Sequence, residues 1–403
     1  MASNPFQQLD VFWNISRKNK KLKDCYRLLY HKELWKKAYT NLYPNTNIDE
    51  KIIDNIIERL RHGTYRFSPI RQKTKASQLN FQDRLMFEVL NMMLQKIYEP
   101  IFSEHSHCSI KNRNYHTALL DIKDSWRGIT WCIHGEIGGN WSPIHFQILL
   151  NLLGQKIEDR RFLLLIHDAL KCGVLNGWNI NETQTSNFSK LLLNIYLHEF
   201  DSFIEYHLNI KHVRFANSFV IGIVGTKESA RKIQFLIREF LMDKLHLREE
   251  ETLITHIEKE IPFLGYEFTL NKQRNHSIMI KIPAKRIQIF ALKNGYGNLQ
   301  NFTVEPRRKL INLSETKILL TYNKELETIA NYYKLADNFH LLKKLFYLAE
   351  RSFLKTIAFK RRSTSKKVAM RMRRYQQGRL CLVQHKQGNQ IVHTFLKLKD
   401  LKK

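Results

Sequence analysis

Residues 341–374 set twelve basic side chains against a single acid, Glu350. The bases are Lys343, Lys344, Arg351, Lys355, Lys360, Arg361, Arg362, Lys366, Lys367, Arg371, Arg373 and Arg374. Leu342, Leu345, Phe346, Leu348, Phe353, Ile357 and Phe359 interleave with them. The pattern predicts helices with one face packed and the other cationic. A merely solvated face mixes signs to limit self-repulsion, whereas this one is destabilising unless a polyanion neutralises it. The bias runs through the whole chain, where 66 Lys+Arg against 37 Asp+Glu give a net charge of +29 over 403 residues. Nucleic acid is the polyanion such charge favours most, because neutralised phosphates release their counterions; an anionic membrane surface is the alternative.

Several classes drop out. Five scattered cysteines (Cys25, Cys108, Cys132, Cys172, Cys381) form no CxxC pair, which argues against a disulfide framework or a zinc ribbon and for small buried residues. The most apolar run, residues 162–175, is broken by His167, Asp168 and Lys171, so no membrane contact is expected. There is no GxxxxGK[ST], GxGxxG or HExxH, and no small-molecule substrate is expected. His107, His116 and His167 lack metal-ligand spacing, and Asp121, Asp124 and Asp201 read as solvated or capping residues.

Along the chain, residues 24–62 read as helices, with Asn47 and Asp49 as candidate caps. An extended basic stretch follows, then a helix over 83–98 stopped by Pro100. Residues 126–138 suit a strand, 143–153 and 159–171 two helices, and 188–206 a longer one. Residues 213–222 read as a hairpin turning at Asn217 and Ser218, followed by a helix over 228–245 and a single strand over 263–268. Beyond Pro283 the chain reads as a basic helical tail apart from a loop near 295–303. This order suits an α+β fold of the polymerase-palm kind.

The segments also stand in a recognisable order. Tyr26-Arg-Leu-Leu-Tyr30, then Leu60-Arg-His-Gly-Thr-Tyr65, His116-Thr-Ala-Leu119 and Leu193-Asn-Ile-Tyr-Leu-His-Glu-Phe-Asp201 come first. Phe215-Ala216, Phe219-Val-Ile-Gly222, Phe263-Leu-Gly-Tyr266 and Asn331-Tyr-Tyr333 follow, with Thr356, Lys360 and Lys366 beyond. Together they resemble the reverse-transcriptase/maturase proteins encoded by group II introns, as a degenerate organellar member, from about Cys25 to about Arg374. The resemblance implies a right-hand polymerase-like arrangement. Residues 1–62 would be a helical extension, 63–275 degenerate reverse-transcriptase fingers and palm, and 276–403 a thumb and maturase (X) domain that grips RNA.

The departures from the family carry as much weight. Its polymerases hold two Mg²⁺ with three aspartates, and the corresponding positions here are Glu136, Asn217 and Ser218. The family's template loop is matched by Asn181-Glu-Thr-Gln-Thr-Ser186, its nucleotide-bearing aromatic pair by Asn140-Trp141, and its fingers hairpin is shortened around residues 73–81. No intact catalytic residue, no metal site and no cofactor of the protein's own are therefore expected; Mg²⁺ would belong to the folded RNA. The expected function is that of an intron maturase, binding a group II or related group III intron RNA and promoting its folding and splicing without reverse transcription. A residual RNA-directed DNA polymerase built on Glu136 and a general basic RNA-binding factor are the alternatives. Tyr332, Tyr333 and Phe339 read as core in preference to base-stacking residues. The absence of a transit pattern before Cys25 points to an organelle-encoded protein, with the plastid preferred over the mitochondrion. Oligomeric state, a homodimer included, stays open.

Overall fold

A computed structural model describes residues 4–46, 48–70, 80–138, 144–175, 187–247, 249–271, 277–373, 378–386 and 389–401. The chain is α+β and divides into two compact units, Met1–Lys259 and Glu260–Lys403.

The first unit opens with helices α1 (Pro5–Arg17), α2 (Cys25–Leu28), α3 (Lys32–Leu42) and α4 (Glu50–Arg61). Asp49 caps α4 by accepting from the Lys51 N–H, as its position before the isoleucine stripe implies. Next comes α5 (Phe81–Tyr98), which starts at an Asn80 cap and ends just before Pro100. Most of α5 is buried because it packs on α1, α3 and α9 (Asn187–Ser202). Between them lie α6 (Tyr115–Ser125), β1 (Trp131–Ile137), α7 (Phe146–Lys156) and α8 (Arg160–Lys171). Asn114 opens α6 with a reciprocal capping box to Thr117, and Asp159 caps α8.

After α9 come β2 (Lys211–Phe215), β3 (Ser218–Ile223), α10 (Lys227–Leu245) and β4 (Glu249–His256). The four strands form one antiparallel sheet in the order β2-β3-β1-β4. The hairpin read over 213–222 is present, one residue earlier in its turn: Phe215 pairs with Ser218, leaving Ala216 and Asn217 as the two turn residues.

The second unit begins with β5 (Ile261–Phe263), β6 (Tyr266–Asn271) and β7 (Ser277–Lys281). The single strand expected over 263–268 is instead a tight hairpin. Leu264 and Gly265 both take positive φ, 48° and 72°. The hydroxyl of Tyr332 lies 2.8 Å from where a Cβ on Gly265 would stand, so a side chain is excluded there as well as strained. Then come α11 (Ala284–Lys293), β8 (Gly297–Asn298), β9 (Thr303–Val304), α12 (Glu315–Tyr332), α13 (Leu342–Lys360) and α14 (Ser365–Met372). The tail is not helical throughout: β10 (Cys381–Lys386) and β11 (Asn389–Thr394) close the unit as an antiparallel pair. Tyr322, stacked on Tyr296, sits at the centre of this unit and hydrogen-bonds Ser352 and Thr356 on α13. Among the described residues no helix is long and apolar enough to cross a membrane.

Candidate nucleic-acid interface

The hairpin turn of the first unit is held from behind by a buried arginine. Arg214 on β2 is fully buried, and its guanidinium uses all three nitrogens. Nε and Nη2 donate to the two oxygens of Asp201 at 2.7 and 2.6 Å, and Nη2 also donates to Ser106 Oγ at 2.8 Å. Nη1 donates to Asn194 Oδ1 at 3.0 Å and to the Ala216 carbonyl at 2.7 Å, inside the turn itself. Ala216 takes a left-handed φ of 57°, a costly conformation for an alanine that this hydrogen bond secures. Burial alone would raise the Asp201 pKa, but the Arg214 charge and hydrogen bonds outweigh it and hold the carboxyl well below the usual range. Asp201 is thus neither solvated nor a cap, contrary to the sequence reading.

Asp121 corrects the same reading. It accepts from or pairs with His105 Nδ1 at 2.7 Å, His107 Nε2 at 3.2 Å and Ser125 Oγ at 2.9 Å. His107 is buried there, while Asp124 is exposed as expected.

The turn presents little acid to solvent. Glu136 on β1 is exposed and pairs in register with Ser218, whose hydroxyl lies 3.4 Å from its Oε1. Asn217 contributes its carbonyl to the Ile137 N–H at 2.9 Å. The three positions come together as the resemblance implies, but they supply one carboxylate and two neutral groups. Two Mg²⁺ need several anionic oxygens in near-octahedral array, so these residues do not fit a two-metal centre. Among the described residues no three His, Cys, Asp or Glu side chains are placed to hold a metal ion. The template-loop residues 181–186, the Asn140-Trp141 pair and residues 71–79 lie outside the described residues.

The cationic face of the second unit is built by α13 and α14. On α13, Leu342, Leu345, Phe346, Leu348, Phe353 and Ile357 are buried, and Lys343, Lys344, Arg351, Lys355 and Lys360 are exposed on the other side. Phe359 departs from the expected packed set: it is 49% exposed, with the Arg308 guanidinium 5.4 Å from its ring.

The bases differ in how far they are already neutralised. Arg361 pairs with Glu315 and Arg373 with Glu350. Arg351 donates to the Tyr347 hydroxyl, Lys355 to the Val304 carbonyl and Lys360 to the Ile311 carbonyl. Lys343, Lys344, Arg362, Lys366, Lys367 and Arg371 are exposed, and their side chains have no hydrogen-bond or ion-pair partner among the described residues. Arg374 lies outside the described residues.

Placement sharpens the point. Lys343 and Lys344 occupy the first turn of α13, Lys366 and Lys367 the first turn of α14, and neither turn contains an acid. The helix macrodipole disfavours cations at that end and favours anions. Four unneutralised lysines there concentrate positive potential on one face, although the Leu342 N–H is taken by the preceding 3-10 turn and the Lys367 N–H by the Thr364 hydroxyl.

Sequence reasoning missed two parts of this surface. Tyr332 and Tyr333 pack into the fold, their hydroxyls bonded to the carbonyls of Leu264 and Gly265, as the core reading expects. Besides Phe359, the solvent-exposed aromatics of this unit among the described residues are Tyr347 and Phe302. Arg307, by contrast, is absorbed into structure: it forms a two-pronged pair with Glu325 at 2.7 and 2.9 Å and lies over Tyr322.

An α+β chain whose second unit carries this face matches known proteins over both units. Residues 275–399 match the family model described as type II intron maturase. The chain is 30% identical to the group II intron-encoded protein LtrA of Lactococcus lactis subsp. cremoris, over 86% of this chain and 76% of that protein. It is 23% identical to a putative COX1/OXI3 intron 2 protein of Saccharomyces cerevisiae, over 80% of this chain and 49% of that one. It is 31% identical to nuclear intron maturase 1, mitochondrial, of Arabidopsis thaliana, over 25% and 14%. The chain belongs to the group II intron maturase family.

Proposed function

We propose that this protein is an intron maturase that binds group II, or related group III, intron RNA through α13 and α14 and promotes its folding and splicing without copying it. The observation that carries the reading is the set of six exposed, unpartnered bases within the stretch matched by the maturase model. Such a face is stable only against a polyanion, and a structured intron is a folded polyanion read by shape and by its single-stranded features. Tighter binding to the native RNA fold than to misfolds shifts the population toward the splicing-competent state.

In this reading residues 1–62 are a helical extension, 63–275 correspond to reverse-transcriptase fingers and palm, and 276–403 to thumb and maturase domain, a division that differs from the boundary between the two compact units at Lys259. With one carboxylate in place of three, the Glu136–Asn217–Ser218 turn supports no two-metal polymerisation, and the RNA supplies the metals for splicing. The location proposed is an organelle. The plastid preference gains no support from the relatives, two of which carry the word mitochondrial in their names, and the mitochondrion is at least as well supported.

Crosslinking followed by sequencing of bound RNA tests the assignment. Tags concentrated in one or a few introns support a maturase, and an even spread over transcripts refutes it in favour of a general RNA-binding factor. Full-length cDNA in a primer-extension assay with Mg²⁺ would overturn the non-copying part alone.

A further inference from the structure

The exposed aromatics of the second unit gather beside its cations. Phe302 ends the loop that joins β8 to β9, with its backbone at a left-handed φ of 52°, a conformation bulky side chains rarely adopt. Burial does not explain the choice, since Phe302 is 41% exposed. Its ring stacks on that of Tyr347, itself 47% exposed, with centroids 5.4 Å apart and planes inclined by 22°.

The stack is rigidly mounted. Ser352 and Lys355 on α13 donate to the Glu305 and Val304 carbonyls, tying the β8–β9 hairpin to the helix that carries Tyr347. Gly297 lets the hairpin close, because a Cβ there would stand 1.9 Å from the Thr303 carbonyl oxygen.

Arg351, one turn along α13, connects the stack to a second feature. Its guanidinium lies 4.9 Å from the Tyr347 ring centroid and donates to the Tyr347 hydroxyl at 2.7 Å. It also borders a cleft of about 440 Å³ between α13 and α14, whose walls include Lys366, Met370 and Arg373. A strained, solvent-facing phenylalanine stacked on a tyrosine thus adjoins Arg351, which joins the stack to a cleft that Lys366 and the Glu350-paired Arg373 also line. An apolar protein partner would find its contact area interrupted by these charges. A nucleotide matches both halves, with a flat π face and an adjoining phosphate. A paired duplex offers no free base face, so the match is to a nucleotide out of the helix.

We propose that the Phe302–Tyr347 stack and the Arg351–Lys366–Arg373 cleft form a subsite for one unpaired nucleotide of RNA, its base extending the aromatic stack and its phosphate held in the cleft. This rests on the RNA-binding reading above and adds to it the kind of RNA feature that is read.

The test uses the full-length protein and two labelled RNA hairpins with the same stem, one carrying a single unpaired purine and one fully paired. Wild type should prefer the bulged RNA. Phe302→Leu and Tyr347→Leu should each lower affinity for it about tenfold, with affinity for the paired RNA unchanged within about twofold. A preference that survives both substitutions, or an equal loss on both RNAs, overturns the subsite while leaving RNA binding intact. Equal wild-type affinity for the two RNAs also overturns it. Failure of wild type to bind either RNA removes both readings. Phe302→Gly guards against misfolding, because glycine relieves the left-handed backbone. It should melt no lower than wild type and still lose the preference; an unchanged preference in that variant overturns the subsite.

Discussion

Replacing Lys343, Lys344, Arg362, Lys366, Lys367 and Arg371 together with alanine should change how RNA affinity depends on salt. Each of these bases is exposed and unpartnered among the described residues, so each is free to neutralise a phosphate. The slope of log K against log salt is about −0.9 per neutralised phosphate on a duplex and about −0.7 on a single strand. Six bases therefore account for a slope of about −4 to −5, and the sextuple variant should lose that much. Between about 50 and 200 mM salt the wild-type affinity should fall by roughly a thousandfold through these six contacts alone. The assay is fluorescence anisotropy with a labelled intron RNA at four or five salt concentrations. The fold should not suffer. Four of the six lie in helix first turns, where the macrodipole opposes cations, so their loss should leave the urea midpoint unchanged or slightly raised. Replacing Arg361 is the control, since Glu315 already neutralises it, and the slope should move by less than about one. A sextuple variant whose slope stays within about one of wild type would refute the assignment of this face.

Other outcomes follow from the buried groups. Arg214→Met strands Asp201 as an uncompensated charge and should cost about 3–5 kcal/mol in urea unfolding, with Asp201→Asn in the same chain recovering part of it. Asp201 has a folded-state pKa below its unfolded value. The stability it contributes is therefore present above about pH 4 and lost as pH falls through the folded pKa. Acid unfolding of the wild type should show that loss, and Asp201→Asn should lack it. His105 has its pKa raised, chiefly by the hydrogen bond it donates to Asp121, so its contribution is full below about pH 6.5 and fades as pH rises through the folded pKa. NMR titration should place His105 above the ordinary histidine range, and Asp121→Asn should bring it back. Asn114→Ala removes the α6 capping box and should cost about 1 kcal/mol by the same denaturation assay.

Legibility in the sequence followed the range of the physics. The α13 and α10 helices and the 211–223 hairpin were readable because periodicity and turn polarity are local signals, carried within a dozen residues. The β5–β6 hairpin escaped because Leu264 is no turn former. Its left-handed φ is accompanied by a hydrogen bond to its carbonyl from the hydroxyl of Tyr332, 68 residues away. The β10–β11 pair was lost inside a basic stretch that reads as more helix; its Val383–Val392 and Leu382–His393 pairings reward strand only once the two segments meet. Asp201 looked solvated because nothing near it in sequence announces Arg214, and a buried ion pair is a property of the fold alone. The Glu136–Asn217–Ser218 constellation was legible only through family resemblance, since its two strands lie about eighty residues apart. Phe302 and Tyr347 were overlooked for the same reason: their stacking joins a loop and a helix that no periodicity connects.

In the proposed function α13 and α14 hold the RNA and thereby bring it to a splicing-competent fold. The most direct measurement is the splicing rate of a precursor carrying the group II intron found by crosslinking, at low Mg²⁺ where the RNA alone folds poorly. Wild-type protein should accelerate splicing, the Glu136→Gln variant should do so equally, and the sextuple alanine variant should not. A precursor that splices at the same rate with and without the wild-type protein, or one that the sextuple variant rescues in full, would contradict it.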